Sequence, residues 1–230
     1  MTNASHNRLV ATVGLHASAS TWVFNVVREL MVAALGPQQV YSLYSEEPGE
    51  LPDRLSRTNQ RIVLKSHHGS PGFDVWLESM QGVMFLSVRD PRDASISMSY
   101  RFNAPLATAA GCLGNDCRRM VALYARHPVL KYEERFFEHR ATVDRIAKAL
   151  QLELDPNVTD SIFDRYSAGA VRRFAQKLAD DASEMDEATQ IHRGHIGDTR
   201  SGKWRDLPGD IPRELTRLFA PYLEPLGYAP

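Results

Sequence analysis

The sequence has 230 residues and a formal net charge of −1, because 27 Lys and Arg side chains nearly balance 28 Asp and Glu side chains. This balance argues against a surface that binds nucleic acid or another polyanion, so any cationic site must be small. The two cysteines cannot complete a structural zinc site or crosslink a fold of this size, which predicts a reduced, cytoplasmic protein.

Apolar periodicity predicts strands alternating with helices. Strands are predicted over Arg8–Gly14, Arg61–Lys65, Val83–Val88 and Val129–Tyr132, and helices over Ser20–Leu35, Pro91–Phe102, Cys117–His127, Phe136–Leu150, Asp160–Tyr166, Ala168–Ala179 and Ile211–Leu223. The strands are too continuously apolar for a half-exposed sheet. The sequence therefore predicts an α/β fold: a doubly wound, mostly parallel sheet flanked by helices, with P-loop-like topology. The polar stretch Asp180–Trp204 is expected to be mobile.

The chain is expected to form a single domain, residues 1–230. Met1 to Arg8 is polar, and the longest apolar stretch, Trp22 to Leu35, is interrupted by charged side chains. We therefore expect neither a signal peptide nor a membrane span.

The loop after the first predicted strand, Gly14 to Thr21, lies where an open parallel sheet binds ligands and leads into a helix N-terminus that attracts phosphate. Compared with the P-loop pattern G-x-x-x-x-G-K-[ST], its terminal glycine and threonine match, but Ala19 replaces the second glycine and Ser20 the lysine. Without that lysine, we expect a site for a single 5′-phosphate, bound by N–H groups and the hydroxyls of Ser18, Ser20 and Thr21. The alternative is a Ser/Thr-rich helix cap with no ligand.

The segment from Arg89 to Ser97 (RDPRDASIS) carries the sharpest pattern. Asp90 is predicted as a helix N-cap, Pro91 as the first helical residue, and Asp93 as the partner in a capping box. A helix start does not explain Arg89, which ends an apolar strand and whose planar guanidinium suits a phosphate. Ser97 lies about two turns into the helix, and we expect it to bind phosphate together with Arg89.

Lys65-Ser66-His67 ends the second predicted strand. A neutral imidazole, with an ordinary pKa near 6.5, can accept a hydroxyl proton. His67 is therefore a candidate general base, and Lys65 a candidate for stabilising developing negative charge. The alternative is that His67 and His68 are turn residues before Gly69.

These segments, in this order, resemble the 3′-phosphoadenosine 5′-phosphosulfate (PAPS)-dependent sulfotransferases. HASASTW is similar to the family's 5′-phosphosulfate loop P-K-S-G-T-T-W, with Ser18, Thr21 and Trp22 on matching positions. RDPRDASIS fills every fixed position of R-[DN]-P-[KR]-D-x-x-x-S, K-S-H resembles K-T-H, and VLKYEE resembles a strand ending in Tyr-Glu-Asp, which would place Tyr132 near the adenine. The family's proline, lysine and glycine are replaced here by His16, Ala17 and Ala19.

A later stretch, RGHIGDTRSGKW, ends at Trp204 and is similar to the family's C-terminal loop, R-K-G-x-x-G-x-W, which covers the 3′-phosphate. Gly202 and Trp204 align with it, whereas either Arg193 or Arg200 can carry the phosphate contact, with Lys203 as a third cation. The resemblance implies that this loop is a lid that becomes ordered over the bound nucleotide. The alternative is an exposed basic loop.

The resemblance implies sulfuryl transfer by in-line attack, with PAPS as co-substrate, His67 as base, Lys65 meeting the sulfate charge and no metal required. His16 or Lys65 would supply the charge of the missing loop lysine. The residues expected to contact the nucleotide are His16, Ala17, Ser18, Ala19, Ser20, Thr21, Trp22, Arg89, Ser97, Tyr132, Arg193, Arg200, Gly202 and Lys203.

The acceptor is left open as a small molecule, a glycan or a lipid, with its pocket expected from Tyr41–Asn59, Gly69–Leu77 and Asn103–Cys117. The oligomeric state is also open. A P-loop kinase or nucleotidase is one alternative, weakened by the missing lysine. A non-catalytic binder of the same nucleotide is another, because Ala17 replaces the lysine nearest the chemistry.

Overall fold

A central sheet organises the computed structural model, which describes residues 8–49, 51–57, 59–180, 184–193 and 196–230. Its strands are β1 (Leu9–Gly14), β2 (Val40–Tyr44), β3 (Arg61–Ser66), β4 (Val83–Val88) and β5 (Val129–Lys131). Within the described residues they pair in the order β2-β3-β1-β4-β5, and every pairing is parallel. The predicted α/β class and the mostly parallel sheet are confirmed.

Helices cover both faces of this sheet. They are α1 (Ser20–Leu35), α2 (Leu51–Arg57), α3 (Pro71–Ser79), α4 (Pro91–Arg101), α5 (Leu106–Tyr124), α6 (Arg140–Ala149), α7 (Pro156–Arg165), α8 (Ala168–Asp180) and α9 (Ile211–Leu223). Side chains alternate along β1, so that Val10 packs in one hydrophobic cluster while Leu9 and Ala11 pack in the other. The sheet therefore separates two cores, as a doubly wound fold requires.

Several predicted boundaries were wrong. The strand β2 was missed because it is a half-buried edge strand without a continuous apolar run. Helix α5 begins at Leu106, eleven residues before the predicted start, and therefore replaces most of the acceptor loop expected over Asn103–Cys117. Gly111 and Gly114 obscured this helix, since glycine is unfavourable in helix interiors by about 1 kcal/mol.

The polar stretch before Trp204 holds an antiparallel hairpin of β6 (Met185–Asp186) and β7 (Ile191–His192). Ile191 is buried in the hydrophobic cluster that includes the apolar residues of α1, and this burial holds the hairpin against the domain. Residues 181–183, 194 and 195 of the stretch expected to be mobile lie outside the described residues. In the part of the chain that is described, no helix combines the length and apolar character needed to cross a membrane.

Candidate active site

A cavity of about 550 Å³ opens at the carboxyl ends of β1 and β4. Its position is the one at which parallel α/β sheets bind ligands. Of the residues expected to contact a nucleotide, those lining it are Ala17, Ala19, Ser20, Thr21, Trp22, Arg89, Ser97, Tyr132 and Lys203. The first loop and the RDPRDASIS segment therefore converge on one space.

Four other expected nucleotide residues point their side chains elsewhere. The Ser18 hydroxyl is fully buried against the Leu15 carbonyl and Ser87. His16 contacts Asp116, whereas Arg193 pairs with Glu184 and Arg200 with Asp206. Arg200 reaches the site only through its carbonyl, which accepts from Nη2 of Arg89 at 3.0 Å. Among the described cations of the C-terminal loop, Lys203 is the one that lines the cavity.

The loop after β1 has a strained backbone. Ala17 and Ala19 adopt left-handed φ angles of 60° and 63°, a conformation that costs a non-glycine residue roughly 1–2 kcal/mol. Helix α1 starts without a side-chain cap, so the interpretation of this loop as a Ser/Thr cap was wrong. The first helical residues, Ser20, Thr21 and Trp22, line the cavity, so an anion bound there lies at the positive end of the helix dipole.

Gly14 allows this loop to turn back over the sheet. A Cβ at this position would lie 2.4 Å from both the Cβ of Ser20 and the Oγ of Ser87. Only glycine permits that approach without displacement of the loop.

Arg89 is held in the cavity wall by several contacts. Its Nη1 donates to the Ala17 carbonyl and to Oγ of Ser97, both at 3.2 Å, and its guanidinium lies 3.9 Å from the centre of the Tyr132 ring. Nζ of Lys203 lies 3.2 Å from the same Ser97 hydroxyl. Arg89, Ser97 and Lys203 therefore form a compact group, here called the cation wall.

The helix that follows Arg89 starts differently from its prediction. Asp90 caps α4 by accepting from the N–H of Arg92, as expected. Asp93 does not complete a capping box; its carboxylate accepts from the N–H groups of Gly202 at 2.5 Å and Trp204 at 3.0 Å. The RDPRD segment therefore anchors the C-terminal loop, which explains how Gly202 contributes although it does not line the cavity.

Lys65 lies behind the first loop rather than on the cavity surface. Its ammonium donates to Oγ1 of Thr21 at 2.8 Å, and burial, reinforced by the charge of Arg101, lowers the pKa of Lys65 to about 7. Arg101 itself lines the cavity. Sequence reasoning missed Arg101, although it lies four residues after Ser97 and hence on the same face of α4.

His67 is buried with a defined tautomer. Its Nδ1 lies 2.5 Å from the Gly14 carbonyl, which can only accept, so Nδ1 carries the proton and Nε2 the lone pair. Burial, together with the charges of His16 and Lys65, holds the pKa of His67 well below its usual range. The imidazole is therefore neutral at physiological pH, the state that a general base requires.

Glu46 fixes the segment that carries His67. Its carboxylate accepts from the Ser66 hydroxyl and from the N–H groups of His67, His68 and Gly69, at 2.6–2.8 Å. Burial alone would raise the pKa of Glu46, but the hydrogen bonds outweigh burial and lower this pKa. Nothing in the local sequence indicates this role, because Glu46 lies some 20 residues from its partners.

No protein-family model and no curated protein matches the sequence. Solved structures do match. Retinol dehydratase in complex with androsterone and the inactive cofactor PAP aligns with a TM-score of 0.63 and 13% identity, over 97% of this chain and 82% of that one. The mouse sulfotransferase SULT7A1 complexed with PAP aligns with a TM-score of 0.66 and 14% identity, over 95% and 84%.

The chain has a sulfotransferase fold. A second retinol dehydratase structure, in a complex with retinol and PAP, aligns with a TM-score of 0.62 and 13% identity, over 98% of this chain and 84% of that one. At such identities the likeness shows the fold alone and assigns no role to any residue.

Within this sulfotransferase fold, several buried polar atoms lack hydrogen-bond partners. Among the described residues, five buried side-chain atoms are in this position, and three belong to residues that line the cavity. They are Nε1 of Trp22, Oδ1 of Asn25 and Nε of Arg89. Because an unsatisfied buried polar atom costs about 1–3 kcal/mol, their concentration here indicates a ligand site.

Proposed function

We propose that the protein transfers a sulfuryl group from PAPS to a hydroxyl or amine of an acceptor. The observation that carries the proposal is the cation wall. Its residues, Arg89, Ser97 and Lys203, contact one another and line a cavity that the first residues of α1 also line. The solved structures with this fold contain PAP, which is PAPS without its sulfuryl group.

The nucleotide occupies the cavity with its two phosphate ends apart. The 3′-phosphate binds at the cation wall, where Arg89 already donates to neutral oxygens that a phosphate can replace or join. The 5′-phosphosulfate binds at the N-terminus of α1, near Ser20 and Thr21. Trp22 and Tyr132 supply ring surfaces for the adenine between the two ends.

Lys65 and Arg101 take the place of the loop lysine that Ala17 lacks. Lys65 touches Thr21, Arg101 lines the cavity, and the charge of Arg101 lowers the pKa of Lys65. Both cations attract the negative charge of a bound sulfuryl group.

In the reaction, the acceptor oxygen attacks the sulfur while the bond from sulfur to the 5′-phosphate oxygen breaks. The acceptor proton passes to Nε2 of His67, and PAP leaves with the bonding electron pair. His67 is held for this role by Gly14 and by Glu46 through the backbone. General-base catalysis of this kind contributes roughly 10²–10⁴ in rate.

Turnover with ³⁵S-labelled PAPS tests the proposal. The acceptor panel should span phenols, sugars and lipophilic alcohols, including the androsterone and retinol bound by the proteins of like fold. Transfer of label to an acceptor, lost in His67→Ala, is the expected result. Thermal stabilisation by ATP with Mg²⁺ but not by PAP would instead favour a kinase.

A non-catalytic nucleotide binder is the second candidate. Two observations favour it: Ala17 lacks the family lysine, and His67 lies outside the residues that line the cavity. Tight PAP binding without label transfer to any acceptor in the panel would support this candidate over the enzyme.

A further inference from the structure

A second polar cluster lies outside the residues that line the cavity. His16 follows β1, His68 follows β3, and Asp116 projects from α5, so three separate elements bring these side chains together. Nδ1 of His16 lies 2.5 Å from Oδ2 of Asp116, and Nδ1 of His68 lies 2.5 Å from Oδ1. None of the three lines the nucleotide cavity.

The Asp116 carboxylate is incompletely satisfied. Its side chain is fully buried, yet Oδ1 has no hydrogen-bond partner in suitable geometry in spite of its short contact with His68. The two oxygens are thus enclosed by imidazole nitrogens, one of which is too poorly aligned to satisfy its oxygen. A buried carboxylate oxygen in this condition can accept a better aligned hydrogen bond or bind a metal ion.

We infer that His16, His68 and Asp116 form a binding site for a divalent transition-metal ion such as Zn²⁺. Two imidazoles and one carboxylate are ligands that zinc prefers, and three protein ligands leave a fourth position for water. The candidate ligand atoms all lie within 4.8 Å of one another. Since zinc–ligand bonds are about 2.0–2.2 Å long, tetrahedral coordination places the ligand atoms roughly 3.4 Å apart. The two short contacts of 2.5 Å must therefore open by about 1 Å, and the widest separation, up to 4.8 Å, must close by a similar amount.

The surroundings suit such an ion. The His68 side chain is 47% exposed, so an ion and its water can enter from solvent. The N–H of His16 donates to Oδ2 of Asp116 at 3.3 Å, an interaction that orients a ligating carboxylate. The set of ligands is limited to His16, His68 and Asp116 and does not include His67, whose Nδ1 donates to the Gly14 carbonyl.

The metal site would adjoin the proposed base without sharing residues with it. The rings of His16 and His67 are stacked with their centroids 3.9 Å apart. The proposed metal ligands and the residues that line the cavity are different side chains.

Titration of the chelator-treated protein with ZnCl₂ alone, against a chromophoric competing chelator, tests the inference. We expect one ion per chain and a raised melting temperature, with at least a tenfold loss of affinity in both His68→Ala and Asp116→Asn. Substitution with Co²⁺ should give the visible absorption of a low-coordinate N/O site. His68→Ala is the decisive variant, because removal of this exposed side chain spares the core.

The matched control is His127→Ala, which removes another histidine–carboxylate pair, His127 with Glu78 at 3.3 Å. Its zinc affinity should equal that of the wild type. Absence of stoichiometric zinc binding, or wild-type affinity in His68→Ala, would overturn the inference and leave the cluster as two histidine–carboxylate pairs.

Discussion

The cavity lining and the segment that carries His67 differ in how their polar groups are satisfied. On the cavity side, the cation wall donates to neutral oxygens and leaves Nε of Arg89 without a partner. Outside the cavity lining, His67 and the segment around it are held by Gly14 and Glu46 in short hydrogen bonds. The first arrangement leaves a donor for the proposed anion, whereas the second fixes the orientation and tautomer of the proposed base. Proposed nucleotide binding and proposed base catalysis therefore depend on different residues of the fold.

His67→Ala should give the largest effect on the chemical side. We expect kcat to fall roughly 10²–10⁴-fold because the base is lost, while the Kd for PAP stays within about twofold. Steady-state turnover and calorimetry on the same preparation measure both quantities. The exposed histidine His139 offers a control, since His139→Ala should change neither, and full turnover in His67→Ala would remove the base assignment.

Arg89→Ala should give the largest effect on the binding side. Loss of charged hydrogen bonds worth about 1.5–3 kcal/mol predicts a 10–100-fold weaker Kd for PAP. Arg200→Ala is the matched control, because the Arg200 side chain pairs with Asp206 and only its carbonyl touches Arg89. An equal loss of PAP affinity in Arg89→Ala and Arg200→Ala would contradict the role of the Arg89 side chain in the cation wall.

The lowered pKa of Lys65 predicts that the Kd for PAP depends on pH. Because burial lowers its pKa to about 7, the free protein loses the Lys65 charge as the pH rises above that value. A bound anion favours the charged ammonium, so nucleotide binding above this pH takes up a proton. We expect the Kd for PAP to weaken by up to about tenfold per pH unit there, until the pKa of the complex is reached.

Calorimetry at pH 8, in buffers of different ionisation enthalpy, should detect this proton uptake in the wild type and lose it in Lys65→Met. An identical enthalpy in all buffers for the wild type would show that Lys65 does not meet the nucleotide charge.

Ser97→Ala should give the smallest effect. Its hydroxyl lies 3.2 Å from both Arg89 and Lys203, and one neutral hydrogen bond is worth about 0.5–1.5 kcal/mol, which predicts a two- to tenfold weaker Kd for PAP. Ser99→Ala, on the same helix, removes a hydroxyl that donates instead to the Ala104 carbonyl and should leave the affinity unchanged. Equal affinities in the two variants would contradict the role of Ser97.

The binding side could be predicted from the sequence further than the chemical side. Arg89, Ser97 and the start of α4 lie within one continuous segment, so that helix spacing and strand position suffice to bring them together. Glu46 and Asp116 could not be found in this way, because their partners lie about 20 and 100 residues away along the chain. The choice between Arg193, Arg200 and Lys203 likewise depended on how Asp93 anchors the C-terminal loop, which is a tertiary contact.

The central claim is that the cation wall recognises a 3′-phosphate. Calorimetry with PAP and with AMP, which has the 5′-phosphate but lacks the 3′-phosphate, tests it most directly. We predict that the wild type binds PAP at least tenfold more tightly than AMP, and that Arg89→Ala removes most of this difference. Equal affinity for the two nucleotides in the wild type, or no PAP binding, would contradict the account.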